Sequence, residues 1–231
     1  MTVHLDTRSL VDAVTGALRE RILTGEIPAG TLLTEQSVAD QTGVARPTAK
    51  AALDRLTHAG LLRRGQSKTA RVPLLDANDL RDLYFSRMFL ERGVVQTLAI
   101  ARLVPPAAVD ALTRFQEAAD RSSLTGIVEA DIDFHVALVD ALDSPRVTRM
   151  YDAVIGEAHL CMAQVQEHRL LSAAIIAGEH GRIVEAIAEG DSDAAGVLLT
   201  DHLERARDRL VGFVQPETAE EPVPSELHIK R

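Results

Sequence analysis

Apolar residues recur at helical spacing along most of the chain. Between Thr7 and Leu23 they stand at positions 10, 11, 14, 18 and 22, one face of an amphipathic helix. The stretch "TGEIPAG" then closes that helix with Gly and Pro. Thr34 is a good N-cap for a short helix over 34–41, with Gly43 just past its end. A third helix is predicted over about 47–59. Pro47 suits its first turn, where a missing N–H costs nothing, and Ala51, Ala52, Leu53 and Leu56 supply its inner face. "GLLRRGQSKTARVPL" reads as a strand, a polar tip and a second strand. From Asp76 onward the periodicity predicts helices near 77–103, 105–122, 124–142, 145–168, 170–189 and 192–214. Pro105–Pro106, Ser144–Pro145 and Gly190–Asp191 punctuate them, and a break near Tyr84 would raise the count from six to seven. Residues 215–231 are rich in Pro and Glu and are expected to form a flexible tail.

The expected fold is mainly α. A winged helix-turn-helix domain over 1–75 precedes an all-α bundle of six or seven helices over 76–214, followed by the tail. Composition agrees. Of 231 residues 46% are apolar, only 3% are aromatic and none is Trp, which favours helix-on-helix packing. One cysteine excludes a disulfide framework and any multi-cysteine zinc site. No apolar run precedes a cleavage signal at the N-terminus. No stretch approaches the ~20 apolar residues that span a bilayer. A cytoplasmic protein without membrane contact is therefore expected.

Charge divides the chain. Residues 1–75 carry 10 Lys/Arg against 7 Asp/Glu, a net of +3, whereas residues 76–231 carry 15 against 27, a net of −12. The front can approach a polyanion and the rear would repel one. In a winged helix-turn-helix the helix after the turn enters the DNA major groove. Arg46 and Lys50 stand one turn apart on the outer face of that helix. Arg63, Arg64, Lys68 and Arg71 gather at the hairpin. Such charges can be a mere solvated face, but here they stand where this module touches double-stranded DNA. The run "LRERILTGEIPAGTLLTEQSVADQTGVARPTAKAALDRLTHAGLL" resembles the DNA-binding domain of GntR-type bacterial transcription regulators, over about residues 10–72. The resemblance brings Gln36 and Thr48 into the expected DNA-contacting set, Gln36 standing where an Arg often contacts DNA. Ala45 stands where Ser or Thr is usual, which removes an N-cap.

The rear helices pose a different question. The inward stripe of the helix near 124–142 reads Leu124, Val128, Asp131, His135, Leu138, Leu142. The stripe near 170–189 reads Ala173, Ile176, His180, Ile183, Ile187, and the last helix gives Ala195, Leu199, His202, Ala206, Leu210. Polar groups at core positions must find partners. One carboxylate and three imidazoles suit a divalent ion such as Zn, Ni, Mn or Fe. The alternative is a polar network that satisfies itself. Arg87 also lies on an inward stripe, with Glu91 one turn on. The two either form a structural pair or hold the carboxylate of a small ligand, and His159 and Arg169 are further candidates for that pocket.

The segments "DLYFSRMFLERGVVQTLA", "DIDFHVAL", "EHGRIVEAIAEGD" and "DHL" resemble the FCD ligand-binding domain of the same regulators, over about 76–212. In its metal-binding members an Asp and three His hold the ion. The matching residues here are Asp131, His135, His180 and His202. The resemblance implies a homodimer on a palindromic operator and a small organic acid as effector. The expected function is a ligand-responsive transcription regulator, most simply a repressor, and not an enzyme. The rivals are a helical metalloenzyme, which would need a general base beside the metal, and a structural DNA binder, which would need no polar pocket.

Overall fold

The computed structural model describes residues 7–64, 69–165, 168 and 172–214. The expected tail over 215–231, with Lys68 and Arg169, lies outside them. The front comprises α1 (Thr7–Leu23), β1 (Leu32–Leu33), α2 (Glu35–Thr42), α3 (Arg46–His58), β2 (Arg63–Arg64) and β3 (Ala70–Arg71). Thr34 caps α2 through a reciprocal pair: its hydroxyl accepts from the Ser37 N–H, and Ser37 Oγ accepts from the Thr34 N–H. Gly43 ends α2 in the left-handed region at φ 68°, which glycine enters without strain. Ala45 precedes α3 with no side-chain cap, as the loss of a hydroxyl there requires. The sheet has three strands in the order β1-β3-β2, both pairings antiparallel. β1 adds a strand to the expected hairpin. It is two residues long, with Leu33 buried and Leu32 exposed, too short to give a period.

Among the described residues the rear comprises six helices: α4 (Ala77–Ala101), α5 (Pro106–Asp120), α6 (Leu124–Asp140), α7 (Pro145–Val165), α8 (Ala173–Glu189) and α9 (Ser192–Val214). Asp76 caps α4 by accepting from the backbone N–H groups of Asn78 and Asp79. The break considered near Tyr84 is absent. α4 runs unbroken for 25 residues and touches α6, α7, α8 and α9, so it is apolar on several faces and its stripe is blurred. Leu80, Val95 and Leu98 of α4 share one core with Phe134 and Leu138 of α6 and Leu199 and Leu203 of α9.

The front has its own core around Leu18, Ile22, Leu53, Leu56 and Leu62, and Leu160 of α7 belongs to it. α7 therefore bridges the two halves. At the junction two glycines meet. A Cβ on Gly156 would lie 1.7 Å from the Ala59 carbonyl oxygen, and one on Gly60 would lie 2.3 Å from that of Ala153. Arg63 reinforces the contact, with Nη1 donating to Asp79 at 3.0 Å and Nη2 to Glu157 at 2.9 Å.

Candidate metal centre

α6, α8 and α9 deliver Asp131, His135, His180 and His202 to one point in the rear core. All four are buried, and one ligand atom from each lies within 4.8 Å of the others. The helical spacing of the sequence explains this: Asp131 and His135 are one turn apart on α6, and His180 and His202 hold core positions on helices that pack together.

Neighbouring carboxylates orient the rings. Glu91 Oε2 lies 2.6 Å from His135 Nδ1, and Glu179 Oε2 lies 2.7 Å from His202 Nδ1. A carboxylate accepts, so each Nδ1 carries the proton and each Nε2 offers a lone pair inward. His135 Nε2 is buried with no partner. His180 Nε2 stands 3.2 Å from His202 Nε2 and 3.5 Å from Asp131 Oδ1, and the Phe134 ring stacks on the His180 ring at 4.0 Å. Burial pushes the His135 and His180 rings below the ordinary imidazole value, against the pull of Glu91 in the first case and aided by the facing rings of His202 and His135 in the second. Neutral imidazoles with converging lone pairs repel unless a cation or proton lies between them. Ligands held at about 2.0–2.1 Å by one ion stand roughly 3.0–3.4 Å apart, so the 3.2 Å pair fits.

Arg87 and Glu91 are both buried. Arg87 Nε donates to Glu91 Oε1 at 2.8 Å and the Tyr151 hydroxyl donates to the same oxygen at 2.7 Å. Burial alone would raise the Glu91 carboxyl. Arg87 and His135 outweigh it and hold the group well below the usual carboxylate range. Arg87 Nη2 is buried and unpartnered. It faces a cavity of about 90 Å³ that Tyr84, Asp131 and His202 also line, beneath apolar walls. Glu91, expected as an effector contact, is absent from that lining. Its two oxygens already serve Arg87, His135 and Tyr151. His159 lies elsewhere, against Arg19 and Glu20 of α1 at the junction.

Two contributors escaped the sequence reading. Glu179 lies off the inward stripe of α8, but reaches across to α9, where it holds His202 and also accepts from Arg205 at 2.8 Å. Tyr151 steadies Glu91 from α7. Both act between helices, and a stripe read one helix at a time cannot show that.

On the front, Arg46 and Lys50 are exposed on α3, and Arg46 lies 3.6 Å from Glu35. Gln36 is exposed and donates to Asp40 at 2.7 Å. Three other expected DNA contacts turn toward neighbouring residues of the chain. Thr48 is only 9% exposed, because position 48 turns toward the front core. Arg63, still half-exposed, pairs with Asp79 and Glu157. Arg64 lies against Asp54 of α3, with Nη2 2.6 Å from Oδ1, an ion pair without the direction of a hydrogen bond. Lys68 lies outside the described residues.

Two family models match the chain. One is described as bacterial regulatory proteins, gntR family, over residues 10–72, and the other as the FCD domain, over residues 82–205. The HTH-type transcriptional regulator Mce2R of Mycobacterium tuberculosis is 30% identical over 226 residues, 90% of this chain and 94% of that one. A crystal structure of a GntR transcriptional regulator from Rhodococcus sp. RHA1 superposes with a TM-score of 0.75 at 27% identity, covering 88% of this chain and 98% of the other. Escherichia coli McbR shares the fold, with a TM-score of 0.71 at 19% identity over 87% of this chain and 96% of that one. A helix-turn-helix front joined through α7 to a helical rear, each half matched by its own family model, shows that this chain belongs to the GntR family of bacterial transcriptional regulators and carries an FCD domain.

Proposed function

We propose that the chain is a homodimeric repressor acting in the cytoplasm, released from a palindromic operator by a small carboxylate bound beside a divalent metal ion. The observation that carries this reading is the convergence of three imidazole nitrogens and one carboxylate, with His135 Nε2 and Arg87 Nη2 both buried and unpartnered. Asp131, His135, His180 and His202 would hold the ion, which would supply positive charge and Lewis acidity toward a carboxylate. Arg87 lines the same cavity as Asp131 and His202 and would receive the same carboxylate. Tyr84 closes the cavity against its guanidinium, which lies 5.2 Å from the ring centre.

α7 supplies a route from cavity to DNA. Its Met162 and Val165 line the cavity, its Tyr151 holds Glu91, and its Gly156 and Leu160 dock on the front. A ligand that favours one position of α7 would shift the two reading helices of a dimer relative to each other. An exposed stripe on α4 supports the dimer: Phe85 and Phe89 stack at 6.5 Å while 62% and 76% exposed, and Ile100 continues the face. Exposed apolar patches of this kind mark association surfaces.

Elemental analysis tests the centre. Protein purified without chelator should carry about one divalent ion per chain, and replacing His180 and His202 together by Ala should abolish it. A wild-type protein that takes up no Zn, Ni or Mn on dialysis would make the four residues a self-satisfied network. For the DNA face, Arg46→Ala and Lys50→Ala should each weaken operator binding and reduce the salt dependence by about one counterion. Unchanged binding in both variants would remove α3 as the reading helix.

A further inference from the structure

A second cavity lies on the seam between the two halves. It holds about 260 Å³ and is bounded by α1 of the front and by α6 and α7 of the rear. Its charged lining is Arg19 and Glu20 of α1 and Glu129 of α6. Among the described residues none of these three side chains has an ion pair or a side-chain hydrogen bond. His159 of α7 lines the same cavity. It is 7% exposed, and its Nδ1 is buried without a partner. Burial, with Arg19 close by, keeps its ring neutral at pH 7. A buried polar atom left unpartnered costs free energy unless something else meets it. We propose that this junction cavity binds a dibasic α-amino acid of the lysine and ornithine type, its carboxylate on Arg19 and its two ammonium groups on Glu20 and Glu129.

Charge sets the class of ligand. With His159 neutral, the lining carries one positive and two negative side chains, a net of −1. Arg19 and Glu20 are successive residues of α1 and do not face each other. A ligand that answers all three carries one carboxylate and two ammonium groups, the ionic form of lysine at pH 7. A dicarboxylate would meet Glu20 and Glu129, and a diamine would leave Arg19 unanswered. Size agrees. An apolar cavity of about 150 Å³ accepts benzene, so one of about 260 Å³ has room for roughly ten non-hydrogen atoms, the number in lysine. Leu23, Val128 and Ala163 supply apolar surface for the methylene stem. Such a ligand ties α1 to α6 and α7. Val128 also lines the rear cavity, so the two cavities share a wall.

Calorimetric titration of the full chain tests this with lysine, ornithine, norleucine, cadaverine and glutamate. Lysine and ornithine should bind at one site per chain. Norleucine and cadaverine each lack one charged contact and should bind at least about tenfold more weakly, and glutamate should give no heat. Arg19→Gln and Glu129→Gln alter exposed side chains outside both cores. Each should weaken lysine about tenfold, and Arg19→Gln should erase the difference between lysine and cadaverine. Amide exchange along 16–24 and 159–163 should slow when lysine binds. Chelator treatment should leave lysine binding unchanged, because Asp131, His135, His180 and His202 do not line this cavity. No binding of lysine up to about 20 mM, or norleucine or glutamate binding as tightly as lysine, would overturn the ligand class. Native affinity in both variants, or loss of lysine binding on chelation, would overturn the junction as its site.

Discussion

Replacing Gly156 by Ala should separate the two halves of the molecule without unfolding either. The new methyl would sit 1.7 Å from the Ala59 carbonyl oxygen and 2.8 Å from its carbon. Ordinary contact needs more than 3 Å, so α7 and the end of α3 must part by about 1.5 Å or the backbone must bend. Overpacking of this kind costs about 1–3 kcal/mol where side chains can adjust, and here the obstacle is backbone. Undocking is the alternative. It exposes Leu160, worth about 1.5–3 kcal/mol, and releases the Arg63 pairs, which are half-exposed and worth at most about 1 kcal/mol each. The two routes cost about the same, so undocking becomes populated. Calorimetry should show the single transition of the native chain resolve into two. Amide exchange at Gly60–Leu62 and along 153–160 should quicken, while Asp131, His135, His180 and His202 of the rear core keep their protection. Gly178→Ala serves as the control. It lies within α8 with nothing within 4 Å of its new methyl, and should stabilise by about 0.5–1 kcal/mol. A Gly156→Ala protein with one transition at the native temperature and unchanged exchange at Gly60–Leu62 would refute the tight junction.

Further predictions follow from the same geometry. Burial, with Arg19 close by, pushes His159 down to about 4. A group depressed in the folded state lends stability above its unfolded value near 6.5 that is lost as pH falls toward 4, about 2 kcal/mol by pH 5. His159→Gln should remove that part of the acid slope in urea titrations at pH 7 and pH 5, and an unaltered slope would count against it. Glu179→Ala should weaken metal uptake about 10–100-fold by freeing the His202 ring, with Glu179→Gln intermediate; competition against a chromogenic chelator reads this, and equal affinities in all three would dismiss the role. Phe89→Asp should shift the sedimenting mass from about twice the chain to once while the circular dichroism of the helices stays unchanged, and a persistent dimer would place the association surface elsewhere.

The sequence was most informative where one helix face decided the outcome. The 4-3-4-3 spacing on α6 brought Asp131 and His135 inward, and the same rule placed His180 and His202, because a stripe through a packed helix leaves few choices of direction. It was least informative where a side chain works between elements. Arg63 looked like a DNA contact because its strand carries basic charge. Its partners Asp79 and Glu157 lie 16 and 94 residues away and leave no local trace. Glu179 was hidden for the same reason, as was the continuity of α4, whose apolar faces follow from neighbours on several sides. Thr48 shows the opposite hazard. A resemblance assigns a position, but the buried side of α3 decides what that position can touch.

The junction also bears on how freely such regulators could exchange parts. A DNA-reading half is not a detachable module when its core includes Leu160 of the rear half and its hairpin arginine is held by carboxylates of α4 and α7. A chimera that grafts residues 7–75 onto a foreign sensing domain would import a leucine-shaped hole and a glycine with nothing to meet. The natural unit of transfer is the reading half together with α7. Grafts that carry Gly156, Glu157 and Leu160 with the front should answer the new ligand, and grafts cut at residue 75 should bind DNA but ignore it.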